Sequence, residues 1–229
     1  MSRKVGQPTA RRVRGIVRQL EQAYGPRRWR RGLNGLDGLI ATILSQNTSG
    51  TNSSRAFARL KRAFPTWQAC LSAPVAQVEA AIRCGGLARL KARRIQALLR
   101  HIEQERGRLG LAFLGRWPVE RAREWLIQLD GVGPKTAACV LLFNFGRPAM
   151  PVDTHVHRVS WRLGLIDERV TAEAAHAILQ AACPDECVYA FHVLLIAHGR
   201  QTCRARSPLC TSCVLARQCR WWQEQKRAS

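Results

Sequence analysis

The sequence predicts an all-α fold. Apolar residues recur at helical spacing in one segment after another, no stretch alternates apolar and polar residues between hairpin turns, and Pro and Gly punctuate the apolar segments instead of gathering in a long linker. Val13, Ile16, Val17 and Leu20 form the first stripe, behind an opening stretch that reads as a flexible basic arm. Leu39, Ile40, Ile43 and Leu44 form the second stripe, and Phe57, Leu60 and Phe64 the third. Thr66 and Ser72 are helix-start signals for the two short segments that follow them. Leu87, Leu90, Ile95, Leu98, Leu99 and Ile102 mark a longer helix, within which Lys91 reads as an ordinary lysine of a basic helix. From Pro118 to Leu129 a helix turns Trp125, Leu126 and Leu129 inward; the tight turn D-G-V-G follows, and then a second helix up to Phe145. Thr171 opens a further helix over AEAAHAIL. The whole amounts to about ten short helices without an internal repeat.

At 229 residues, 46% of them apolar, the chain can bury a core as one large domain or two small ones. Its formal net charge is +22, with basic residues spread along its whole length. Such a charge calls for an anionic partner, and nucleic acid fits best; a ribosome-like or membrane-surface protein is the bland alternative. The longest apolar runs, ACVLLFNF and FHVLLIA, stop well short of a membrane span. The start, MSRKVGQPTARR, carries charge with no apolar core behind it, so no secretory signal and an intracellular protein are expected.

Nine cysteines in an intracellular chain point to metal ligands or buried thiols more than to disulfides. Cys70, Cys84, Cys139, Cys183 and Cys187 are scattered and read as small core residues. Cys203, Cys210, Cys213 and Cys219 are spaced C-x6-C-x2-C-x5-C, so that four thiolates can close around one metal centre. Structural zinc usually shows two close pairs, and only one is present here; all-cysteine ligation of an iron-sulfur cluster fits as well or better.

Of the 37 Lys and Arg residues only five are lysine, and one of these, Lys135, stands in the first turn of the apolar helix after G-V-G-P. Pro at the first helical position with glycines ahead is a start signal. A cation there faces the positive end of the helix dipole. Burial, the dipole and the surrounding positive charge are each expected to disfavour its ammonium form, and a neutral amine is a nucleophile that arginine cannot imitate. A phosphate-binding or solvated lysine is the plainer alternative. Two helices joined through G-V-G also present successive backbone N–H groups at a helix start, which bind a phosphate without reading sequence. A simple turn is the alternative for Gly131, Val132 and Gly133.

LDGVGPKTA, then PVDTHVHRV, then HGRQTC with the four-cysteine set resembles the endonuclease III branch of the helix-hairpin-helix DNA glycosylases, from about Gly38 to Trp221. The resemblance implies two helical domains flanking a DNA-binding cleft: residues 31–147 as a six-helix domain with the hairpin, and residues 1–30 with 148–229 as a second domain carrying a 4Fe-4S cluster in the loop 203–219. It places Lys135 on the nucleophilic lysine of the bifunctional members and Asp153 on the catalytic aspartate. The implied reaction is attack of the amine on the sugar carbon that bears a damaged base, loss of the base, an imine, and β-elimination that cuts the strand. Asp153 would stabilise positive charge on the sugar; by its position alone it reads as a helix N-cap. Gln46 matches the glutamine that fills the gap left by a flipped nucleotide, and Leu87 a wedge on the opposite strand. Read without the resemblance, Gln46 is a polar residue at a helix end and Leu87 is core.

Two positions depart from the family pattern. Ser49 stands where many members have an aspartate lining the base pocket, and Asp130 replaces the common proline before G-V-G. The resemblance implies a monomeric enzyme of base excision repair in the cytoplasm, associated with the nucleoid, acting on duplex DNA that holds an oxidised pyrimidine such as thymine glycol or an abasic site. Alternatives are a monofunctional adenine or thymine mismatch glycosylase, against which Lys135 argues, and a non-catalytic iron-sulfur or zinc DNA-binding protein.

Overall fold

The computed structural model describes residues 8–30 and 32–228, and among them it holds twelve α-helices, a few short 3-10 turns and no strand. The expected basic arm falls largely on residues 1–7, outside the described residues. Helix α1 (Ala10–Tyr24) begins at Thr9, whose side chain accepts from Arg12 N, and buries the expected stripe Val13, Ile16, Val17 and Leu20. Helices α2 (Gly35–Ser45), α3 (Gly50–Ala63), α4 (Trp67–Ser72), α5 (Val75–Ile82) and α6 (Ala88–Arg106) follow, then α7 (Val119–Ile127) and α8 (Pro134–Cys139). The chain continues from α8 into a wide π turn, Val140–Asn144. The last four are α9 (Thr154–Leu163), α10 (Ala172–Ala182), α11 (Val188–Gln201) and α12 (Arg220–Ala228).

The chain divides into two compact units, residues 31–147 and residues 1–30 with 148–229. In the first unit α2 is central: it packs on α3, α6, α8 and the π turn, and it buries Leu36, Leu39, Ile40, Ile43 and Leu44. Truncating one of these to Ala is expected to cost about 2–5 kcal/mol. In the second unit α11 lies against α1 and α9, and α12 also packs on α9.

Several expectations are corrected. Ser72 ends α4 and caps nothing, because Ala73, ahead of Pro74, is extended and holds Ser72 away from α5. Leu87 and Leu90 leave the stripe of α6 and are 54% and 45% exposed, since that stripe turns inward only from Lys91 onward. Of the five scattered cysteines Cys70 and Cys183 are buried, while Cys84, Cys139 and Cys187 are half-buried at the edge of the core. The polar helix α12 carries no apolar stripe and was not expected.

Candidate active site and metal centre

In the unit of residues 31–147, helix α7, the turn and α8 form the hairpin. Leu129 and Val132 are buried beneath it, and Val132 N donates to Leu129 O at 3.0 Å, which closes the turn. Gly131 has φ +78°, a left-handed backbone that calls for glycine, and the Arg94 side chain lies close over it. Gly133 is the extended N-cap of α8, and Pro134 is its first residue. The N–H groups of Lys135 and Thr136 fall in the first turn, where a helix supplies no carbonyl to receive them and its dipole is positive. Lys135 is exposed, where its apolar neighbours had suggested burial. Asp130 sits 3.8 Å from Arg94 Nε, which offsets the carboxylate beside the hairpin.

Gln46 caps the C-terminus of α2, and its Nε2 donates to Gly131 O at 3.0 Å and to Thr136 Oγ1 at 3.2 Å. The structure thereby brings Gln46 together with the hairpin. Ser49 is the N-cap of α3, accepting from Asn52 N at 3.3 Å, a role that aspartate fills equally well. Leu87 is held left-handed at φ +48°, immediately after Gly86 at φ +65°. An exposed leucine in that conformation is strained by about 1–2 kcal/mol. Nothing in residue type alone announces this.

In the other unit, Asp153 is the extended N-cap of α9, and its Oδ1 accepts from Val156 N at 2.7 Å. The buried segment before it, Ala149 to Val152, forms no helix or sheet, and side chains take several of the backbone groups along it. Gln180 Oε1 accepts from Met150 N at 2.7 Å and Gln180 Nε2 donates to Pro148 O at 2.8 Å. His176 Nδ1 meets Met150 O at 2.8 Å and His192 Nδ1 meets Pro151 O at 2.9 Å, so each ring donates there. These three side chains fix the approach to Asp153. Polar residues on the inner faces of α10 and α11 were the signal, and sequence reasoning passed over them.

Cys203, Cys210, Cys213 and Cys219 line one pocket, walled also by Val159, Leu163, Leu215 and Trp221. Among the described residues no three Cys, His, Asp or Glu side chains converge closely enough to hold a single ion. Burial and then the neighbouring thiols push Cys219 up to about 11, and burial raises Cys210 and Cys213 as well. These three thiols are costly to ionise together without a cation among them. Helix α9 clamps the loop with two arginines one turn apart. Arg158 donates to Gly199 O and Cys203 O at 2.8 and 3.0 Å, while Arg162 donates to Arg204 O at 2.7 Å, to Ala205 O at 3.1 Å and to Cys203 Sγ at 3.4 Å. His198, buried and held neutral by that burial down to about 4, places Nε2 3.6 Å from Cys213 Sγ, with Nδ1 2.9 Å from Tyr24 Oη. In a chain this rich in arginine, nothing marked Arg158 and Arg162 as special.

The family model described as "HhH-GPD superfamily base excision DNA repair protein" matches residues 40–185. A candidate DNA glycosylase of Arabidopsis thaliana is 42% identical over 178 residues, which make up 78% of this chain and only 58% of that longer protein. Endonuclease III of Thermotoga maritima is 34% identical over 187 residues, 82% of this chain and 83% of the relative. A solved endonuclease III trapped as a covalent intermediate with DNA superposes with a TM-score of 0.77 at 31% identity, covering 96% of this chain and 99% of that one. The chain belongs to the HhH-GPD superfamily of base excision DNA repair proteins, in its endonuclease III branch, an enzyme class with DNA glycosylase and lyase activity.

Proposed function

We propose that this protein is a monomeric bifunctional glycosylase and abasic-site lyase that removes oxidised pyrimidines such as thymine glycol from duplex DNA inside the cell. The observation that carries the reading is Lys135, an exposed primary amine in the first turn of the helix behind G-V-G. The neutral amine attacks C1′ of the damaged nucleotide; the C1′–N bond to the base breaks, and its electron pair leaves with the base. The attached nitrogen gives up one proton, the C1′–O4′ bond breaks with the ring oxygen taking a proton, and the nitrogen keeps its other proton as a protonated C=N bond forms. Loss of a proton from C2′ then expels the 3′ phosphate and cuts the strand. Asp153 stabilises the positive charge that builds on the sugar, and its bond from Val156 N holds it oriented.

Gly131, Val132 and Gly133 present the hairpin backbone to a phosphate, and α8 adds its positive end. Gln46 fills the space of the flipped nucleotide and Leu87 enters the opposite strand. Cys203, Cys210, Cys213 and Cys219 hold a 4Fe-4S cluster, which braces the loop between α11 and α12. The donor set fits it in kind: four thiols line one pocket, with Arg162 donating to a sulfur. No helix among the described residues is long and apolar enough to cross a membrane.

The test is a panel of duplexes, each carrying one lesion, read for free base and for strand scission. Release of oxidised pyrimidines with scission at the same site is expected. Release of a mispaired adenine or thymine without scission would replace this reading with a mismatch glycosylase.

A further inference from the structure

Lys91 is only 2% exposed, and burial lowers the affinity of its amine for a proton. Its Nζ donates to Leu44 O at 2.8 Å and to Gly85 O at 2.9 Å, and its backbone N donates to Leu87 O at 2.9 Å. Leu44 lies in the last turn of α2, two residues before Gln46; Gly85 lies two residues before Leu87. Helix C-terminal carbonyls lack partners in their own helix, and an ammonium suits their negative end. The loop at Gly85 packs closely on α3, where a Cβ at Gly85 would meet Ala56 Cβ at 2.9 Å. One side chain therefore joins the roots of two segments that are distant in sequence, and its backbone N–H makes the first helical bond of α6, to Leu87 O.

We infer that Lys91 is a positioning residue that couples Gln46 to Leu87, so that gap filling on one strand and wedging on the other occur as one event. The inference rests on the roles proposed above for those two residues. Lys91 touches no DNA and supplies no group to the reaction. Its loss leaves two buried carbonyls unpaired and lets the two segments move independently.

The experiment compares strand cleavage at an abasic site in a fully paired duplex with cleavage at the same site inside an unpaired bubble, where neither gap filling nor wedging is required. Lys91→Met fills the same space without donors. It is expected to lower the ratio of paired to unpaired cleavage about tenfold, with unpaired cleavage near wild type and Lys91→Arg recovering part of the ratio. Gln46→Ala and Leu87→Ala, run beside it, are expected to lower the same ratio. If Lys91→Met does not fold, Lys91→Gln, which keeps an N–H donor, is read in its place. A ratio that stays at the wild-type value in the Lys91 variant alone overturns the coupling. A ratio unchanged in all three overturns the gap-filling reading and the coupling with it. Loss of the fold in both Lys91 variants makes it a folding residue and also overturns the inference.

Discussion

Gln46 Nε2 lies 3.0 Å from the carbonyl oxygen of Gly131, so the end of α2 is tied to the turn of the hairpin. The same Nε2 reaches Thr136 Oγ1, one residue past Lys135. In this arrangement the side chain proposed to fill the gap rests against the hairpin, and on that proposal it leaves the Gly131 carbonyl to enter the duplex.

Gln46→Ala is expected to weaken binding to an abasic duplex about tenfold, a loss of about 1.4 kcal/mol, and to leave binding to undamaged duplex unchanged. Fluorescence anisotropy with the two duplexes measures both. An equal loss on the two would make Gln46 a brace of the hairpin and nothing more.

For Asp153 the cap and the chemistry separate by substitution. Asn caps a helix as well as Asp does, so Asp153→Asn should melt near the wild type, whereas Asp153→Ala loses about 1 kcal/mol. Base release should fall by about a hundredfold or more in both, as for removal of a preorganised electrostatic group. Wild-type base release by Asp153→Asn would leave Asp153 with its capping role alone.

The purified protein should be yellow-brown and hold about four irons per chain. Stripping the metal should expose the loop 203–219 to proteolysis, since the four neighbouring thiols no longer share a cation. Stoichiometric zinc in a colourless protein is the contrary result.

The net charge of +22 should make binding to undamaged duplex fall steeply with salt, by a slope of about −0.9 for each phosphate neutralised. Titration at several salt concentrations measures it. A flat dependence would assign the arginines elsewhere.

The parts of this molecule set by local physics could be read from the chain. Apolar spacing located the buried faces of α1 and α2, and the caps at Thr66, Thr171 and Asp153 form as their residue types require. The G-V-G turn before Pro134 was equally plain. What depends on tertiary contact was hidden. Lys91 looked like any lysine of a basic helix, and only the carbonyls of Leu44 and Gly85, supplied by distant segments, make it a buried one. Leu87 looked like core because its left-handed backbone is imposed by the loop and not by its side chain. The stapling of residues 148–151 by His176, Gln180 and His192 joins three elements, and no window of sequence contains it.

The most direct test is reductive trapping at Lys135. Borohydride reduces a C=N bond, so an enzyme that passes through an imine becomes covalently joined to its DNA, and one that uses water does not. Lys226, exposed on α12 with its Nζ 5.4 Å from the Trp222 ring, is the suitable control; buried Lys91 is not. With an abasic or thymine glycol duplex, wild type and Lys226→Gln should give the cross-linked species on a denaturing gel, and Lys135→Gln should give none. A cross-link that persists in Lys135→Gln, or wild-type protein that releases base and never cross-links, would contradict the assignment of Lys135 as the nucleophile.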